Sequence, residues 1–213
     1  MLLHCCCAPC TIMPLESLIS DGWQVHVYYF NPNIHPYGEY IRRLDVLEPY
    51  LLALESELVT LEPYQKGLVT GVRRGPYEEG IWEEKVGVMG GPYPLIEGAE
   101  DYLQNESAKR ERCRACYELR FNSLAEYAVE IDCDYIDSTL SISPYQFTQE
   151  IQEALQEAAK EQDRKVLQSD WSEDYQQSVQ RSRALGMYRQ NYCGCRYSLQ
   201  EAELERQARR VKK

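Results

Sequence analysis

The run Leu2-Leu3-His4-Cys5-Cys6-Cys7-Ala8-Pro9-Cys10 decides the fold, because an apolar stretch, a turn and a helix start follow one another within it. The apolar stretch to about Leu3 predicts a strand. A helix is expected from about Pro9 to Ile19, since proline is tolerated in a first helical turn. Residues 25–30 are β-branched and aromatic, and they predict a second strand. Strand, turn, helix and strand in this order are typical of a parallel α/β sheet.

The rest of the chain continues this alternation. Further helices are predicted at about residues 39–54, 112–130, 148–161 and 173–185, and further strands at about 57–61, 134–137 and 166–167. Residues 65–106 hold most of the glycines and are expected to form an irregular excursion with at most short helices. We therefore predict one α/β domain over residues 1–213, a parallel sheet with helices on both faces and ligands at the carboxyl ends of its strands.

The composition is that of an ordinary globular protein of 213 residues, with 44% hydrophobic and 27% charged side chains. No secretion signal is visible, and no stretch approaches the roughly 18 to 20 apolar residues of a membrane span. We expect a cytoplasmic protein without a membrane partner, where clustered cysteines indicate metal binding or catalysis. The net charge of −11 argues against a large nucleic-acid footprint, although residues 109–114, 181–189 and 206–213 hold local basic groups.

Eight of the nine cysteines fall into three tight groups, which brings several sulfurs close to one point. The groups are Cys5-Cys6-Cys7 with Cys10, then Cys113 with Cys116, and then Cys193 with Cys195. The pair at 113 and 116 is compatible with half a zinc site, a redox dithiol or part of an iron–sulfur site. We expect it in the first turns of a helix, where the macrodipole favours thiolate.

The number of sulfurs bears on the metal. Together with Cys6, Cys7 and Cys10, the pair at 113 and 116 makes five sulfurs, more than the four of a tetrahedral zinc site. An iron–sulfur cluster with one extra metal accommodates that number better, and structural zinc remains the alternative. Cys193 and Cys195 can close a strained disulfide, which would be labile and therefore catalytic, or they can act as a pair of metal ligands.

The motifs at residues 4–10, 31–36, 113–116, 143–145 and 188–195 together resemble one family, the cobalamin-independent epoxyqueuosine reductases of the QueH type. The resemblance covers nearly the whole chain outside the irregular excursion. It implies an adenine-nucleotide-hydrolase-like fold of the HUP or Rossmann type. It also implies that the epoxide oxygen of epoxyqueuosine in the tRNA anticodon loop is removed to give queuosine.

The same resemblance implies a set of cofactor ligands. The residues matching the family's cluster ligands are Cys6, Cys7, Cys113 and Cys116, which would hold a [4Fe-4S] cluster with an iron ion beside it. The position of Cys10, a further candidate metal ligand, is aspartate in some family members. A separate electron donor, of unspecified identity, is expected to supply the two electrons of the reduction.

The implied partner is tRNA, and three residues are candidates to bind it. His35 borders a loop that follows a predicted strand, and Arg112 and Arg189 lie close to cysteine groups. The chain departs from the family pattern at Gln146, where lysine is common, and at Glu173-Asp174, where basic residues are common. Both departures predict either a smaller basic patch for tRNA or a related molecule as the substrate.

Two other classes of function fit the cysteine pattern. One is a thiol–disulfide oxidoreductase that uses its cysteine pairs without metal, and the other is a non-catalytic zinc-binding module. Colour distinguishes them, because an anaerobically purified iron–sulfur protein is brown and both alternatives are colourless.

Overall fold

The computed structural model describes residues 1–55, 69–90, 105–167 and 170–211. Its centre is a five-stranded sheet in which every neighbouring pair is parallel. The strands are Leu2–His4 (β1), Val25–Tyr29 (β2), Val69–Arg74 (β3), Tyr135–Ser138 (β4) and Lys165–Val166 (β5). The parallel α/β fold predicted from the sequence is confirmed.

The described residues form seven α-helices. They are Ala8–Ser20 (α1), Tyr37–Glu55 (α2), Glu79–Lys85 (α3), Glu106–Glu130 (α4), Thr148–Glu161 (α5), Tyr175–Ala184 (α6) and Arg196–Val211 (α7). No helix within these residues is both long enough and apolar enough to cross a membrane.

Helices cover both faces of the sheet because the side chains of a strand alternate between faces. Leu3 and Val27 pack in one buried cluster with residues of α1 and α2. Leu2 and Tyr28, their neighbours in the chain, pack on the opposite face with residues of α4 and α5. Both faces are apolar, as expected of a parallel sheet buried on both sides.

The strand order β3-β2-β1-β4-β5 reverses at β1, and a crevice is expected at the carboxyl ends of the strands where such a reversal occurs. The chain moves outward from β1 to β2 and β3, and then returns to β4 on the other side of β1. Ligands of open α/β sheets bind outside the carboxyl ends of the strands where the order reverses in this way. At that edge His4 ends β1, and its Nδ1 lies 3.1 Å from the Oγ of Ser138, the last residue of β4. The turn after His4 therefore opens directly into the crevice.

Two element predictions need correction, one predicted strand is untested and one helix was not predicted. The strand predicted at 57–61 lies outside the described residues. The prediction of an irregular excursion over residues 65–106 is wrong at Val69–Arg74, because these residues form β3. Helix α4 begins at Glu106 instead of about residue 112. Helix α7 was not predicted, because its many charged side chains obscured its few apolar residues.

Candidate metal centre

The turn after β1 brings three sulfurs together. Cys7 is the N-terminal cap of α1 and Cys10 lies in the first turn of that helix, where Pro9 costs no intrahelical hydrogen bond. The Sγ atoms of Cys6, Cys7 and Cys10 all lie within 4.8 Å of one another, and those of Cys6 and Cys7 are 3.8 Å apart. These three residues are called the sulfur cluster below. Its sulfurs are soft ligands that suit iron or zinc.

The electrostatic surroundings favour a thiolate at Cys7. Burial alone would raise its pKa, but hydrogen bonds from Cys10 and Cys6, the charge of Arg43 and a bond from Gln190 lower it well below the ordinary value. The pKa of Cys10 is raised well above normal because it shares hydrogen bonds with both other sulfurs. One anion shared among three neighbouring sulfurs is an arrangement that a metal cation completes by displacing the remaining protons.

Cys113 and Cys116 lie on α4, seven residues or more beyond its start at Glu106. The expectation that the helix dipole favours their thiolates is therefore wrong, because the dipole acts only within the first turn. Burial raises the pKa of both thiols, and the charge of Cys193 raises both further. The charge of Cys195 also raises the pKa of Cys113. The cysteine pair on α4 and the pair at positions 193 and 195 therefore lie close to one another.

Packing relates the two regions. Cys113 packs against the same buried cluster as Cys6 and Cys7, whereas Cys116 and Cys195 belong to a third apolar cluster formed by α3, α4 and α7. Within the described part of the chain, the sulfur cluster is the one group of at least three potential ligand atoms that lie this close together. All nine cysteines are free thiols.

The segment Tyr188–Cys195 lies over the sulfur cluster. Gln190 donates a hydrogen bond from Nε2 to the Sγ of Cys7 at 2.8 Å. The Sγ of Cys193 lies 3.9 Å from Oε1 of Gln146, which accepts a hydrogen bond from the Tyr117 hydroxyl at 2.9 Å. One loop thus contacts the sulfur cluster through the amide of Gln190 and places the thiol of Cys193 beside Gln146.

The three predicted substrate-binding residues occupy different positions. His35 is buried, with its ring 4.9 Å from that of Trp82 and its Nδ1 3.1 Å from a Glu79 carboxylate oxygen. Arg112 is 2% exposed and stacks on the Tyr197 ring at 4.6 Å. Its charge opposes the effect of burial on the pKa values of Cys113 and Cys195, so it lies near both thiols. Arg189 is half-buried at the edge of the site.

Comparison with known proteins shows the family to which this chain belongs. The family described as epoxyqueuosine reductase QueH matches residues 1–201. The chain belongs to this family. The epoxyqueuosine reductase QueH of Dehalococcoides mccartyi is 31% identical over 199 residues, which cover 93% of this chain and 91% of that protein. The same enzyme of Streptococcus pyogenes is 32% identical over 200 residues, covering 93% of this chain and 69% of that protein. The chain is accordingly an enzyme of an oxidoreductase family.

In this epoxyqueuosine reductase family member, most of the basic group at residues 109–114 is engaged by carboxylates. Lys109 pairs with Glu201 at 2.8 Å, and Arg110 pairs with Glu106 and Glu150. Arg114 contacts three glutamates of α4 and α5, at positions 118, 153 and 157. These pairs join helices to one another, so the group provides less free positive charge than the sequence suggests.

Two site residues were missed in the sequence. Arg43 and Glu39 are one helical turn apart on α2 and form a buried ion pair, with Arg43 Nε donating to a Glu39 carboxylate oxygen at 2.8 Å. Such a pair is usually found on a solvated helix face, so its spacing alone does not indicate a site. The signal that could have revealed it is apolar periodicity, because Arg43 lies three residues after Tyr40 and four before Leu47, which both belong to the core.

Proposed function

We propose that this chain reduces epoxyqueuosine in tRNA to queuosine by means of a metal centre at the sulfur cluster. The observation that carries the proposal is the grouping of three cysteine sulfurs within 4.8 Å of one another, two of them on buried residues, at the crevice of the sheet. Membership of the epoxyqueuosine reductase family supports the reaction. The position supports it too, because this crevice is where such sheets bind ligands.

The proposed cofactors are a [4Fe-4S] cluster held by Cys6, Cys7, Cys113 and Cys116 and an adjacent iron ion at Cys10. The donor set fits, since thiolates are the ligands of such clusters and burial limits access of water. When bound, the metals supply single electrons and a Lewis acid for the epoxide oxygen.

The protein's own residues prepare this site for a polar substrate. Within the described residues, Nε and Nη1 of Arg112, Oε1 of Gln190 and Nε2 of His35 are buried without a hydrogen-bond partner. Buried polar groups of this kind nearly always have a partner in the working protein. We propose that His35 and Arg112 contact polar groups of the substrate, and that Cys193 and Cys195 act in the redox chemistry.

Exposed aromatic rings beside the site support a tRNA partner. Tyr145 is 78% exposed, and its chain neighbour Gln146 lies in the site. The Tyr145 and Tyr175 rings are 6.4 Å apart in an edge arrangement. Burial raises the pKa of Tyr175. The charge of Arg189 lowers this pKa and that of Cys10 raises it, so the Tyr175 ring lies near both residues. Aromatic rings next to arginine are a typical platform for unpaired nucleobases.

The decisive experiment combines metal analysis with a product assay. Anaerobically prepared protein is analysed for iron, sulfide and zinc, and then incubated with epoxyqueuosine-containing tRNA and a chemical one-electron reductant. We expect iron, sulfide and queuosine in the digested tRNA. A colourless protein that holds zinc and forms no product would contradict the proposal and indicate a zinc-binding module.

A further inference from the structure

The segment Tyr188–Cys195 connects α6 to α7 and has no regular secondary structure. Its position therefore depends on contacts with other elements. The Tyr192 hydroxyl donates to the His35 carbonyl at 2.7 Å, and the His35 amide donates to the Gly194 carbonyl at 2.8 Å. These bonds align the segment with the loop after β2, but they do not by themselves orient the thiol of Cys193.

Arg43 contacts the backbone on both sides of that thiol. Its Nη1 donates to the Cys193 carbonyl at 2.8 Å, and its Nη2 donates to the Tyr192 carbonyl at 3.2 Å. These carbonyls belong to the two peptide planes that flank the Cys193 Cα atom. Because each plane is rigid, fixing both of them also fixes the direction in which the Cys193 side chain leaves the backbone.

The guanidinium is itself held in place. Arg43 is 1% exposed, and its third donor, Nε, is bound to Glu39, whose other carboxylate oxygen accepts from the Tyr188 hydroxyl at 2.8 Å. The Arg43 group also stacks on the Tyr192 ring, with 5.3 Å between the guanidinium carbon and the ring centre. A planar fork with donors on three nitrogens can hold all these partners at once, whereas a lysine ammonium is a point charge on a flexible stem.

Gly194 shows how closely the segment is fitted to Arg43. Its φ of +137° is rarely adopted by residues with a side chain, and a Cβ there would lie 2.9 Å from Ile34 Cγ1 and 3.3 Å from Arg43 Nη1. The glycine between the two cysteines therefore allows the backbone to approach the guanidinium closely enough to bind it.

We propose that Arg43 is a positioning residue, whose guanidinium, held by Glu39, orients the Cys193 thiol that lies beside Gln146. The inference rests on the proposed redox role of Cys193. A simpler role is a counter-charge, because the positive charge of Arg43 also favours the thiolate of Cys7 and lowers its pKa. The two roles predict different behaviour for lysine, which keeps the charge but not the fork.

The test compares Arg43→Lys with Asp45→Asn, which changes an exposed side chain on the same helix. Both are prepared anaerobically with their metal, and alkylation by iodoacetamide is measured at each cysteine by mass spectrometry. In Arg43→Lys we expect unchanged bound iron and alkylation of Cys193 about tenfold faster, because the segment opens more often. We also expect kcat about 100-fold lower with KM nearly constant, as for a misplaced reactive group. Asp45→Asn should match the wild type in all these measurements.

If Arg43→Lys shows the wild-type rate of Cys193 alkylation and the wild-type kcat, the proposal is overturned and the counter-charge role remains. If that variant does not fold, Glu39→Gln decides, since it loosens the guanidinium without removing it. Faster alkylation of Cys193 in Glu39→Gln supports positioning, and an unchanged rate overturns it. The alkylation readout needs no tRNA, so failure of the proposed reaction is distinguishable from failure of the positioning role.

Discussion

The amide of Gln190 donates a hydrogen bond to the Cys7 sulfur at 2.8 Å, which connects the segment before α7 to the cluster at the start of α1. The two residues are 183 positions apart in the chain. Hydrogen bonds to ligand sulfurs stabilise their negative charge, and they are one of the means by which a protein sets the potential of an iron–sulfur centre.

Replacing Gln190 with leucine should therefore lower the reduction potential of the bound centre, because the reduced and more negative state loses a donor. Iron content should remain at the wild-type level. The measurement is a redox titration followed by electron paramagnetic resonance. Gln149→Leu, on an exposed side chain of α5, is the matched control and should leave the potential unchanged.

Replacing any one of Cys6, Cys7, Cys113 and Cys116 with serine should lower bound iron, since each is a proposed ligand. Iron and sulfide are measured on anaerobically prepared variants. Cys133→Ser is the control, because Cys133 precedes β4 and so lies at the end of that strand opposite to Ser138 and the crevice. Full iron retention in all four variants would refute the ligand assignment.

The double variant with serine at positions 193 and 195 should keep its iron and lose reductase activity. We expect a loss on the order of 10² to 10⁴-fold, as when a positioned reactive group is removed. Activity is measured as queuosine formed per iron-loaded enzyme. If iron disappears together with activity, the pair is structural or ligates metal.

Binding of tRNA should depend only moderately on salt. With a net charge of −11 we expect about three to five phosphate contacts, and hence a slope of log affinity against log salt of roughly −2 to −4. Arg189→Gln should reduce that slope by about 0.7 to 0.9. Arg114→Gln removes an equal charge from a side chain already bound by three glutamates and should change the slope less. A slope of about −8 or steeper, typical of many contacts, would contradict this footprint.

Stability should decrease in mild acid because of His4. Burial, followed by the charge of Arg120, lowers the pKa of its imidazole to about 3. Its Nε2 lies 3.2 Å from the Phe30 carbonyl, which can only accept, so the neutral ring carries its proton there. The unfolded chain binds a proton below about pH 6.5 while the folded protein does not until about pH 3, so stability is lost as pH falls through this window.

At pH 5 this difference amounts to about 2 kcal/mol relative to pH 7.5. His4→Gln should be less stable at pH 7.5 but should lack this part of the pH dependence. Urea unfolding of both proteins at pH 5 and pH 7.5 measures how much the free energy of unfolding changes with pH in each, and the difference between the two changes is the contribution of His4. His26 and His35 also have lowered pKa values, and their contributions of the same sign cancel in the comparison. Equal pH dependence in both proteins would show that His4 is not the cause.

Much of the fold was accessible from the sequence. The β-branched and aromatic run at Val25–Tyr29 and the apolar spacing of Thr148–Glu161 were recognised because their local periodicity matches their structure. Strand β3 was missed, since the glycine at 71 and the arginines at 73 and 74 make an edge strand resemble a loop. Helix α7 was missed because it buries little apolar surface.

By itself, the sequence determined the parallel α/β class and the three cysteine groups, because periodicity and close spacing along the chain are local properties. Only the tertiary structure decided which of these groups meet. Helix α4 and the segment before α7 are distant from residues 6–10 in the chain, and packing on the sheet brings them to one crevice. The same holds for Arg43, whose buried charge became recognisable as part of the site only through the carbonyls of Tyr192 and Cys193. Contacts between residues this far apart in the chain depend on the three-dimensional path of the backbone, which local sequence patterns do not encode.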